Sequence, residues 1–136
     1  MDFSFIKLPK GIETRKPVDT ELDYFKKNPN VAGMATEDNK VILNPFSDRK
    51  PEEFQAVAIN ESARIFMRQK PEYKPKFDLT EQQKSFLDST TYRNASEDDK
   101  KATIAARILS KDPSAGIPSN EQTLFASELR RALGLD

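Results

Sequence analysis

The sequence has no cysteine and no histidine. Without thiols, disulfides and thiolate metal sites are excluded. Without imidazole, the commonest metal ligand and general base is missing. The usual nucleophile–base pairs therefore cannot form, and no Ser–Lys arrangement has a signal here. Four glycines in the whole chain leave no phosphate-cradling loop. Long apolar runs are missing too. Nothing approaches the roughly 18 residues of a membrane span, and the opening MDFSFIKLPKG has too short an apolar run for a signal peptide. Neither charge is in excess, with 22 Lys+Arg against 22 Asp+Glu and a net charge of zero. That balance lacks the basic surplus of a nucleic-acid binder. These absences predict a non-enzymatic protein with no catalytic residue, no metal and no cofactor. Neither a membrane nor nucleic acid is expected as a partner, and the expected setting is inside a cell or in an assembly made there.

What is present is polar. Of 136 residues, 36% are hydrophobic and 32% charged, below the usual apolar share of about 45–50%. Such a chain can bury a small core but has little surplus to hold long arms against it, so arms are expected to gain order on a partner. Residues 1–19 read as an extended N-terminal arm, because Pro9 and Pro17 block a regular helix and Gly11 permits a turn. Phe3, Phe5, Ile6 and Leu8 form an apolar cluster on this arm, and docking on another chain is the favoured reading over packing on the core.

Residues 20–68 read as the core. Asp19 or Thr20 can cap a short helix with Leu22 and Phe25 on one edge, closed by Asn28-Pro29-Asn30. The stretch VAGMATEDNKVIL then reads as a β-hairpin with a polar turn at Glu37-Asp38-Asn39-Lys40. A lone two-stranded hairpin is marginal in water, so it must lie on the helix that follows. Asn44-Pro45 stops its second strand. Pro51 opens a long helix with Glu52 and Glu53 at its positive end. Phe54, Val57, Ala58, Ile65 and Phe66 recur at helical spacing there, and Ile59, Ala63 and Met67 widen the apolar surface, which marks a central helix.

Residues 69–79 read as a Pro-containing linker anchored by Tyr73 and Phe77. A basic cluster, Arg64, Arg68, Lys70, Lys74 and Lys76 with Glu72 opposing, runs into it; it suits a solvated surface better than a phosphate contact. Residues 80–136 read as a C-terminal helical part. Capping boxes at Thr80-Glu81-Gln82-Gln83 and Ser119-Asn120-Glu121-Gln122 open two helices, and Ser96 opens a third between them. The middle helix carries Ala102, Ala105 and Ala106, a small-residue face for close approach, and Gly134 closes the last helix. The predicted fold is mainly α (α+β), about five helices with one β-hairpin packed on a long central helix.

One local pattern suggests ancestry. Zincin metallopeptidases carry His-Glu-x-x-His on a helix, both histidines on one face and the glutamate activating the metal-bound water. The hairpin followed by Asn60-Glu61-Ser62-Ala63-Arg64 resembles a degenerate zincin unit, with Asn60 and Arg64 at the histidine places. The chemistry does not carry over, since an amide is a poor zinc ligand and Arg64 is a permanent cation. Pairing of Glu61 with Arg64 at i, i+3 is the expected arrangement.

Longer segments resemble small proteins of tailed bacteriophages, short-tailed ones above all. The words are VAGMA, Asn44-Pro45, Asn60-Glu61-x-Ala63-Arg64 and ILS-x-DPSAG, spread over much of residues 20–133. The resemblance implies a viral setting and transfers no catalytic residue. Three functional expectations follow. The first is a virion-associated accessory protein that binds other virion proteins (portal, tail or capsid) through Phe3, Phe5, Ile6 and Leu8, with self-association within the particle as a further option. The second is a non-structural phage protein that binds a host protein beside Asn60, Glu61 and Arg64. The third is an inactive zincin-like peptide-binding scaffold.

Overall fold

The structure, a computed structural model, describes residues 2–135. In chain order the elements are β1 (Glu13–Thr14), α1 (Asp19–Lys27), β2 (Gly33–Ala35), β3 (Lys40–Leu43), α2 (Pro51–Gln69), α3 (Glu81–Asp88), α4 (Glu97–Leu109) and α5 (Asn120–Ala132). Five helices and one small sheet make a mainly helical α+β protein, as the sequence predicts. The chain forms two compact units, residues 1–65 and 66–136, and the division falls inside α2.

In the first unit the hairpin forms where the sequence places it. Gly33 pairs with Leu43, Met34 with Ile42 and Ala35 with Val41 in antiparallel register. Thr36 closes the turn: its backbone N–H donates to the Lys40 carbonyl at 2.9 Å, and its hydroxyl accepts the Lys40 N–H at 3.0 Å. Asn39 takes φ = 61° there, a left-handed conformation that asparagine tolerates better than most residues. The sheet has a third strand the sequence reading missed. Glu13 and Thr14 pair in parallel with Lys40 and Val41, giving the order β1-β3-β2. The second half of the predicted extended arm therefore joins the sheet as an edge strand.

β3 is the central strand, and consecutive Val41, Ile42 and Leu43 are all buried. Adjacent side chains point to opposite faces, so both faces of the strand are covered. Gly33 marks how closely β2 approaches α2. A Cβ at this position would meet Leu43 Cδ2 and Val57 Cγ1 at 2.9 Å and the Ile42 carbonyl oxygen at 3.0 Å. Gly33→Ala is expected to cost about 1–3 kcal/mol through overpacking, with Gly33→Val costing more. Urea unfolding followed by circular dichroism measures this, and an unchanged midpoint for the alanine variant would mean the approach is looser.

α1 starts at Asp19, so its cap position is Val18, neither of the predicted caps. Val18 has no side-chain oxygen. Glu21 takes over the capping instead, its carboxylate accepting the Val18 N–H at 2.9 Å. At the other end of α1 the buried Asn44 side chain gathers the chain. Its Nδ2 donates to the carbonyls of Val31 at 2.7 Å and of Phe25 and Asn28 at 3.3 Å, and its Oδ1 accepts the Phe46 N–H at 2.8 Å.

In the second unit, residues 69–79 are folded in. Pro71–Tyr73 form a 3-10 turn, Tyr73 stands 5.1 Å from Phe66, and the fully buried Phe77 meets Phe125 edge-on at 5.5 Å. Both predicted anchors thus hold. α4 packs on α5 with Ile104, Ala105, Ala106 and Leu109 buried. Both predicted capping boxes form, at Thr80/Gln83 and Ser119/Gln122. Their glutamines then meet. Gln83 Nε2 donates to Gln122 Oε1 at 2.6 Å, Gln122 Nε2 donates back to Gln83 Oε1 at 2.8 Å and also to the Asp78 carbonyl at 2.8 Å. Both glutamines are fully buried. One amide pair therefore ties the starts of α3 and α5 together.

Candidate functional site

The N-terminal residues build their own small structure before they touch anything else. The Asp2 carboxylate accepts the Ser4 N–H at 2.9 Å and its hydroxyl at 3.1 Å. Those bonds, the backbone one first, hold the Asp2 carboxyl below the ordinary carboxylate range. The Ile6 N–H donates to the Phe3 carbonyl at 3.1 Å, which closes a turn. The turn sends Phe3 inward, where its ring meets Phe54 of α2 edge-on at 4.9 Å. Phe5, on the same turn, stays 39% exposed.

One residue of α2 then holds the arm by its backbone. Gln55 Oε1 accepts the Lys7 N–H at 2.8 Å, and Gln55 Nε2 donates to the Lys7 carbonyl at 2.7 Å. A single side-chain amide satisfies both main-chain groups of Lys7, as a neighbouring strand would. Ile6 and Leu8 are half-buried and Pro9 is buried. The four arm residues singled out in the sequence are thus not equivalent. Phe3, Ile6 and Leu8 are each half-buried, Phe3 against Phe54, and Phe5 is the one displayed. Phe3 touches Phe54 of its own chain and keeps part of its surface open, beside Ile6 and Leu8.

Between the arm and the sheet lies an open groove of ≈ 770 Å³. Asp2, Phe3 and Ser4 form one wall, and Thr14 to Pro17, Leu22, Leu43 and Pro45 form the other. Arg15 shapes that second wall. Its guanidinium makes a two-pronged ion pair with Glu21 at 2.7 and 2.9 Å and a second with Asp38 at 3.1 and 3.2 Å. It therefore links α1 to the β2–β3 turn, a role that no local pattern around Arg15 announces.

The electrostatics follow from that geometry. The Arg15 hydrogen bond is the largest cause that holds Glu21 below the carboxylate range, and it pulls Asp38 down from 3.8 to about 2. Arg15 itself is held more firmly protonated by the same two partners. A carboxyl with a depressed folded-state pKa stabilises the fold above its unfolded value, and that contribution is lost as pH falls through the folded value. For Asp38 the window runs from 3.8 down to about 2. Arg15→Gln is expected to return the Asp38 titration toward 3.8 and to shrink the loss of stability across that window, read by carboxyl-carbon NMR and by unfolding at several acidic pH values. An Asp38 titration unmoved by the change would refute the pairing. Across pH 5–8, with no histidine or cysteine in the chain, stability is expected to be nearly flat.

The other residues drawn from the sequence lie on α2. Glu61 and Arg64 pair at 3.9 Å as expected, with side chains only 14% and 18% exposed. Asn60 is half-buried. The buried Ser62 between them donates its hydroxyl to the Ala58 carbonyl at 2.7 Å, a bond within its own helix. Among the described residues, no three acidic side chains converge as a metal site. No described helix is long and apolar enough to cross a membrane. Of the basic cluster, Lys74 pairs with Asp98 at 2.9 Å and Lys70 lies 5.7 Å over the Phe66 ring. No family model, curated protein or solved structure matches the chain.

Proposed function

We propose that this chain is a virion-associated accessory protein of a tailed bacteriophage, made in the host cytoplasm, and that it binds portal, tail or capsid through its N-terminal arm. Besides the phage-like words in the sequence, one observation carries this reading. The arm presents Phe5 outward on a turn whose other aromatic, Phe3, is anchored against Phe54. A displayed aromatic on a pre-formed turn loses little conformational freedom on binding, which favours it as an interface anchor. Ile6 and Leu8 add partly open apolar surface beside it. The chemistry is recognition by contact, without catalysis or cofactor.

The test is incorporation. Phage carrying Phe5→Asp are expected to package the protein at least about tenfold less than wild type, as for loss of a central interface anchor. The variant should fold normally, since Phe5 already faces solvent. Full incorporation of Phe5→Asp would remove the arm as the contact. The second reading, capture of a host protein at Asn60, Glu61 and Arg64, has less support, because the Glu61 and Arg64 side chains lie 3.9 Å apart as an ion pair and are only 14% and 18% exposed.

A further inference from the structure

The sheet stops short on one side of β3, at the wall of the groove. Along β3 the main-chain groups point alternately to the two neighbouring strands. The Lys40 carbonyl accepts the Thr36 N–H and the Asn44 N–H donates to the Ala32 carbonyl, both at 2.9 Å. Lys40, Ile42 and Asn44 therefore face β2, and Val41 and Leu43 face the β1 side. The Val41 carbonyl is served there, accepting the Arg15 N–H at 3.2 Å. One step further on, the pairing fails. Contact between β1 and β3 ends at Thr14 and Val41. The next N–H due to reach the Leu43 carbonyl belongs to position 17, and Pro17 has none. Among the described residues, neither the N–H nor the carbonyl of Leu43 has a hydrogen-bond partner. Yet Leu43 is only 3% exposed. Buried main-chain groups in this state are rare, because nothing replaces the water they lose. Leu43 and Pro17 both line the groove, so the unpaired groups lie on its side of the sheet.

We infer that the groove binds an extended, apolar peptide segment of another protein, whose main chain bonds the N–H and carbonyl of Leu43. Three features define this occupant. A donor and an acceptor on one strand residue match the acceptor and donor of an adjoining extended chain, the pairing by which peptides add to sheets. Phe3, Pro17, Leu22 and Pro45 give the same groove apolar walls, which suit an uncharged aliphatic or aromatic side chain. The charges nearby favour a segment without net charge. Asp2 and Lys16 stand on opposite walls with opposite signs, and Arg15 is already paired with Glu21 and Asp38. The volume of ≈ 770 Å³ falls within the roughly 300–1,000 Å³ of ligand sites. It admits a short segment and excludes a folded domain. Pro17 keeps the site available, since an N–H at that position would let β1 run on and close over Leu43. The site is separate from the displayed Phe5 and does not depend on a virion role.

The experiment follows the Leu43 amide of the ¹⁵N-labelled full chain by NMR. The probe is the blocked peptide acetyl-Val-Leu-Val-amide, compared with its fully N-methylated analogue, which has the same apolar side chains but cannot donate to the Leu43 carbonyl. The Leu43 amide proton is expected to move downfield and to saturate, with half-saturation near about 1 mM. The N-methylated analogue is expected to bind about three- to tenfold more weakly, as for a lost hydrogen bond. Leu22→Glu, which places a charge on an apolar wall, is expected to abolish the shift while the rest of the amide spectrum stays dispersed. A Leu43 amide unmoved up to the solubility limit of the peptide would overturn the inference and leave the groove to water. So would equal binding of the two peptides, or a shift retained in a folded Leu22→Glu variant. The readout needs only isolated protein, so failure of the virion role would leave it untouched.

Discussion

Asn44→Leu is expected to destabilise the first unit by about 3–5 kcal/mol, a large share of the 5–15 kcal/mol or so that holds a typical domain. The substitution is close to isosteric, so the effect is not a cavity. It comes from polar groups left without partners. The Asn44 amide donates to three carbonyls, the shortest bond being 2.7 Å to Val31, and its oxygen accepts the Phe46 N–H at 2.8 Å. These groups are the C-terminal end of α1, the entry to β2 and the exit from β3. A leucine would strand them in a site from which water is excluded. Asn44→Asp is expected to be worse at neutral pH, because a carboxylate would face the carbonyl oxygens that the amide now donates to. Urea unfolding gives the magnitude, and hydrogen exchange of residues 25–46 localises it. A loss below about 1 kcal/mol for the leucine variant would show that these carbonyls find other partners.

The second large effect lies in the other unit. Gln83→Leu or Gln122→Leu alone is expected to cost about 2–4 kcal/mol, since each removes half of a capping box and orphans the opposite buried amide. The double variant is expected to cost less than the sum by about 1–3 kcal/mol, because the orphaned amide disappears with its partner. It will not be neutral. In the double variant the Asp78 carbonyl loses its donor and the N–H groups of Thr80 and Ser119 lose their acceptors. A double-mutant cycle by chemical unfolding reads this directly. Strict additivity would mean that the two amides act as independent caps and that their 2.6 and 2.8 Å bonds contribute nothing jointly.

These two sites show where sequence reading stops. Each capping box was legible from its own four residues, because capping is local chemistry. That Gln83 and Gln122 also bond each other depends on how α3 and α5 pack, which no four-residue pattern encodes. Asn44 was legible only as the stop of a strand, and its three carbonyl partners come from residues 13 to 19 positions earlier. The hairpin and α2 were readable from strand formers, a polar turn and helical spacing. β1 was not, since two residues are too short for an alternating pattern and its parallel partner lies 27 positions away. The apolar cluster of the arm was visible, but the sequence could not separate Phe3, which turns inward onto Phe54, from Phe5, which remains displayed. Arg15 gave no signal, because both of its partners are set by the fold of the first unit.

The most direct test of the proposed role is the copy number of this protein in purified phage particles, by quantitative mass spectrometry against the portal and major capsid proteins. A virion component is expected at a fixed ratio that fits a tail or shell symmetry, unchanged between preparations. Absence from particles that are otherwise complete, with the protein abundant in infected cells, would contradict it.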